Sequence, residues 1–110
     1  MNPGDPPPIA GSAAGLVAYQ SGTIVSRTLV KKSAGTATVF AFDAGQELSE
    51  HTAPYDALVF ALDGRARWTV AGEARETVAG DVLLLPAGKT HAVVATSPFK
   101  MLLVMIRSAE

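Results

Sequence analysis

Beyond residue 15 the chain alternates short apolar runs with small polar breaks, and no stretch holds a sustained helical stripe with caps. "GTIVSRTLVKK" and "TATVFAFDAG" are rich in β-branched and aromatic residues, and each closes on a glycine, lysine or aspartate signal. "ALVFALDG" is a third such run, and "ARWTVAGEARETVAGD" reads as two short strands joined near Ala71 to Glu73. "VLLLPAG", "HAVVAT" and "FKMLLVMIR" complete the series. The pattern predicts eight or nine short strands in an all-β sandwich or closed barrel.

Period-two alternation assigns faces within these strands. Ala66, Trp68 and Val70 share one face of "ARWTV" and Arg65, Arg67 and Thr69 the other, so that strand is half buried. "ALVFALDG" is apolar on both sides, with Ala57, Val59 and Ala61 opposed to Leu58, Phe60 and Leu62. In "FKMLLVMI", Phe99, Met101, Leu103 and Met105 alternate with Leu102, Val104 and Ile106. A strand that is apolar on both faces needs cover on both. With no helices expected, the outer faces are expected to meet a second copy in a two-fold homodimer, or to be covered by the chain's own sheets or its N-terminal arm.

The 110 residues suit one domain, with residues 16–110 forming the barrel. Residues 1–15 carry Pro3, Pro6, Pro7 and Pro8 among small residues and are expected to form a flexible arm. The arm shows neither a basic nor an apolar leader pattern, and "MLLVMI" is strand-length, so a cytoplasmic protein without membrane spans is expected. A formal charge of -1, and Lys31–Lys32 as the sole adjacent basic pair, argue against a nucleic-acid partner. The absence of cysteine excludes disulfides, thiolate metal clusters and a cysteine nucleophile. Nucleotide-loop, zincin and nucleophile-elbow motifs are missing as well.

Candidate chemistry centres on two histidines, His51 in "GQELSEHTAPYDALVFALDG" and His91 in "PAGKTHAVVAT". Tyr55 is placed to close a pocket mouth, and Trp68 to supply a flat wall for an apolar or ring-shaped ligand. Met101 and Met105 offer adaptable thioethers on one face. Core packing is the alternative for each of these four. Asp81 reads as a turn former and Lys89 as a solvated loop charge.

Two stretches carry a family resemblance. The first has Gly45, His51, Ala53, Ala57 and Gly64, and the second has Gly80, Pro86, Gly88, His91 and Ala95. In spacing they resemble the two motifs of the cupin family, in its small single-domain conserved-barrel form. Gly45, Gly64, Gly80, Pro86 and Gly88 keep the framework. Ala53 stands where the family has a second histidine, Ala57 where it has a glutamate, and Ala95 where it has an asparagine.

The resemblance implies a double-stranded β-helix, or jelly roll, with a pocket inside the barrel and frequent dimerisation. Its members include dioxygenases, isomerases, epimerases, seed storage proteins and sugar-binding sensors, so it implies no single reaction. Positions 51, 53 and 57 are separated by even steps and, along one strand, would share a face. Alanine offers no lone pair, which leaves His51 and His91 as a depleted ligand set for iron, manganese, nickel, zinc or copper. Glu47, Glu50 or Asp56 would have to supply a third ligand. The expected function is binding of a small organic molecule, with His51 and His91 at the polar end. The alternatives are a metal-dependent dioxygenase or isomerase and a structural or sensory barrel.

Overall fold

A computed structural model describes residue 5 and residues 7–107. It contains nine strands: β1 (Ile24–Lys32), β2 (Gly35–Phe42), β3 (Glu47–His51), β4 (Asp56–Asp63), β5 (Arg65–Val70), β6 (Glu73–Val78), β7 (Val82–Leu85), β8 (His91–Ala95) and β9 (Phe99–Ile106). They form a five-stranded sheet in the order β1-β2-β9-β4-β7 and a four-stranded sheet in the order β3-β8-β5-β6. Every pairing is antiparallel. The two sheets face each other as a jelly roll, so the all-β double-stranded β-helix is the observed fold.

The faces follow the alternation. Ala66 and Trp68 on β5, Val59 and Ala61 on β4, and Phe99 and Met101 on β9 are buried between the sheets. Phe42 stacks at a tilt on Phe99, with ring centroids 5.9 Å apart. The Trp68 indole N–H donates to Thr77 Oγ1 at 3.0 Å, so both buried polar groups are satisfied. Asp81 closes its turn by accepting the Val78 amide at 2.8 Å.

A second apolar cluster lies on the outer face of the five-stranded sheet. Val17, Val39 and Ala41 are buried there, with Leu16, Tyr19 and Leu102 packed against them. A 3-10 turn at Ala13–Leu16 brings the incoming chain onto this face. Lys100 Nζ donates to the Ala14 carbonyl at 2.6 Å, Arg27 to the Leu16 carbonyl at 3.2 Å, and the Tyr19 hydroxyl to Asp63 at 2.5 Å. Burial and the Asp63 carboxylate both push the Tyr19 phenol upward, which keeps it protonated as the donor. The expected boundary between arm and barrel falls inside the 3-10 turn. Residues 1–4 and 6 of the expected flexible arm lie outside the described residues, as do 108–110. Among the described residues no helix is long and apolar enough to cross a membrane.

Candidate functional site

The site lies between the sheets at the end where β3, β8 and the loop into β4 meet. β3 reads "ELSEH" and carries no apolar alternation. Its pairing with β8 matches Glu47 to Val94, Leu48 to Val93 and His51 to His91, so three steps along β3 oppose two along β8. The extra residue is a β-bulge, and it turns the odd spacing of Leu48 and His51 into a shared inward face. His51 Nδ1 donates to the Ser49 carbonyl, 2.8 Å away within the bulge, which fixes the ring. Because a carbonyl only accepts, Nδ1 carries the proton, and in the neutral ring Nε2 holds a free lone pair.

His91 begins β8 directly opposite. The two rings meet edge to face, with centroids 4.2 Å apart. Burial, then the neighbouring His51 charge, lower the His91 pKa below the usual histidine value. The Lys89 backbone favours the charged ring, but this pull is the weakest of the three, and buried Nδ1 has no hydrogen bond of good geometry. The loop before His91 is anchored by the Gly88 amide, which donates to the Ala53 carbonyl at 2.9 Å.

Together the histidines border a cavity of about 80 Å³. Its inner wall is Trp68, Leu85, Val93, Met101 and Leu103, with Met105 nearer the open end. Tyr55 and exposed His51 form the rim, and the Arg107 guanidinium lies over the Tyr55 ring at 5.0 Å. All six residues named in the sequence as pocket candidates border this cavity: His51, His91, Tyr55, Trp68, Met101 and Met105. Leu48, Leu85 and Val93 were not among those candidates. Leu85 and Val93 face inward in register with Ala57 and Trp68, but the runs "VLLL" and "HAVVA" carry no polar alternation that marks them in the sequence.

The acidic candidates are placed differently. Asp56 accepts the Ala87 amide at 2.8 Å and sits in register with exposed Ile106. Glu47 borders a separate surface depression with Arg67 and Thr69. Glu50 is exposed within the bulged strand. Among the described residues no group of three or more His, Cys, Asp or Glu side chains gathers to hold a metal. The expectation that positions 51, 53 and 57 share one strand is corrected: β3 ends at His51 and β4 begins at Asp56, with Ala53 in the loop between. Ala53 and Ala57 nevertheless border the same cavity as the histidines, because the loop folds across the barrel end.

The model of the cupin domain family matches residues 38–106, which include both histidines and most of the barrel. This chain is a cupin. A Streptococcus pyogenes protein of unknown function is 34% identical with a TM-score of 0.88, over 93% of this chain and 90% of that one. A cupin superfamily protein from Desulfitobacterium hafniense is 28% identical, TM-score 0.87, over 94% of each chain. A cupin 2 conserved barrel domain protein from Leptotrichia buccalis is 42% identical, TM-score 0.82, over 86% of this cupin but 46% of its own length. No curated protein matches the chain.

Proposed function

We propose that this cupin binds a small, largely apolar organic molecule in its barrel, with His51 and His91 at the polar end. One observation supports the reading above the others: the cavity is walled by buried apolar side chains, and the paired imidazoles stand together at one end of it. Ala53 and Ala57 border that same end, so the space beside the pair is not filled by larger side chains.

The residues present do not fit the resident metal of many cupins. Catalytic zinc commonly takes three protein ligands, and non-haem iron two histidines and a carboxylate. Here two imidazoles remain, and the carboxylates of Glu47, Glu50 and Asp56 do not gather with them. The proposed activity therefore rests on the pocket itself, without a metal-assisted step.

A thermal-shift screen with small apolar molecules tests this. Binding to the folded state raises Tm by mass action. Ala53→Leu, which adds bulk at the cavity edge, is expected to cancel the shift while preserving the barrel. If no such molecule raised Tm, or if the variant responded as well as the parent, the barrel would be structural and the binding proposal would be lost.

The same proposal includes a homodimer through the outer face of the five-stranded sheet. Residues 13–19 cover one part of that face, whereas Val82, Leu84 and Ile106 remain 59%, 52% and 52% exposed on another. Leu58 pairs in register with both Leu84 and Val104, which makes the uncovered apolar area continuous across β7, β4 and β9.

A further inference from the structure

Resting on the pocket reading above, we infer that this cavity selects small uncharged molecules carrying a hydroxyl donor, with phenols as the ligand class. The hydroxyl donates to Nε2 of His51 while the ring lies against the apolar wall. Three features of the site support this chemistry.

First, the polar end contains a defined hydrogen-bond acceptor, at His51. The Ser49 carbonyl holds the His51 proton on Nδ1, so the neutral ring presents a lone pair at Nε2. Second, among the described residues no lysine or arginine lines the cavity, and the Arg107 guanidinium stays outside the lining, over the Tyr55 ring at the rim. A carboxylate carried past the rim into the apolar interior would lose hydration without meeting a counter-charge there. Burial, then the adjacent His51, disfavour the charged form of His91, so its ring adds no strong cation to the site. Third, the indole N–H of Trp68 is taken by Thr77, so Trp68 offers only apolar surface. A ring can lie against that surface, and among the described residues the neighbouring Leu85, Val93 and Met101 side chains add no N–H or O–H donor and no oxygen or nitrogen acceptor.

The cavity is about half the roughly 150 Å³ that encloses benzene in a closed site. A single ring therefore keeps its hydroxyl near the rim, at the depth of exposed His51, rather than burying it among Met101 and Val93.

Phenol, toluene and benzoate separate the possibilities because they share a ring and differ in the head group. Titrations of the full chain at about pH 8, where an ordinary histidine is neutral, are expected to show phenol binding about tenfold tighter than toluene, with benzoate weakest. The ¹⁵N resonance of His51 Nε2 should move with phenol and not with toluene. His51→Leu should bring phenol down to the affinity of toluene while leaving toluene unchanged. Equal binding of phenol and toluene, preference for benzoate, or an unmoved Nε2 resonance would overturn the donor inference and leave the apolar pocket standing. If none of the three bound, the pocket reading and the inference would both fail.

Discussion

His51 and His91 face each other across β3 and β8 as a register pair, their rings edge to face at 4.2 Å. The contact brings two titratable groups together, and His91 has its pKa lowered by burial and by its neighbour. Below about pH 6.5 an unfolded histidine takes up a proton that folded His91 resists, so the unfolded state binds more protons. Stability is therefore full above the unfolded value and falls as pH drops towards the folded one. Thermal unfolding between about pH 7.5 and about pH 5.5 is expected to show Tm declining with acid. His91→Gln should flatten that slope, and an equally steep slope in the variant would contradict the argument.

Trp68 and Thr77 are interdependent within the core. Trp68→Phe leaves the Thr77 hydroxyl buried without its donor, and Thr77→Val leaves the indole N–H without its acceptor. Each single change is expected to cost about 1–3 kcal/mol in urea unfolding. The double change should cost less than the sum, because neither polar group is then stranded. Strict additivity would mean that the bond contributes nothing measurable.

Gly64 and Gly88 share a left-handed backbone but differ in their surroundings. Gly64 has φ +73°, and a Cβ there would overlap the Pro98 carbonyl oxygen. Gly88 has φ +77° and open space where a Cβ would stand. Gly88→Ala should cost about 1–2 kcal/mol of conformational strain. Gly64→Ala should cost that and more than about 2 kcal/mol beyond it, because backbone must move. Equal losses in chemical denaturation would show that the Pro98 segment relaxes freely.

Much of the barrel was legible because a half-buried strand writes its two faces into alternate residues. Ala66 and Trp68, or Phe99 and Met101, declare themselves in this way. Strand order was not legible: β9 pairs with both β2 and β4, and no local pattern encodes such distant partners. The bulge in β3 was hidden for a related reason. All five residues of "ELSEH" are exposed, so no hydropathy signal marks the slip that turns Leu48 and His51 to one side. Ala53 and Ala57 illustrate a third limit, since even spacing suggested one strand where a loop and a strand converge.

The uncovered outer face leads to a prediction about assembly. If a second copy covers Leu84 and Val82, sedimentation equilibrium at micromolar concentration should give twice the chain mass of 11.4 kDa. Leu84→Glu should then give the single-chain mass with little change in fold, since the side chain is 52% exposed in one chain. A monomeric parent would remove the dimer from the proposal.

Ala53 and Ala57 make the strongest demand on the site geometry. If the loop and β4 hold these positions toward the histidine pair, Ala53→His together with Ala57→Glu restores a full set of nitrogen and carboxylate donors beside one ion. Equilibrium dialysis of untagged protein should show affinity for Ni²⁺ or Zn²⁺ rising at least about a hundredfold over the parent. Without metal the variant should be less stable, because Ala57 is 6% exposed and a carboxylate there loses hydration among apolar neighbours. Metal should reverse that loss by binding only the folded state. A variant that folds, destabilises as expected and still binds no better than the parent would show that the two alanines do not converge on the imidazoles. Recovery of Tm by metal would establish that the barrel retains the geometry of a metal centre whose donors are missing.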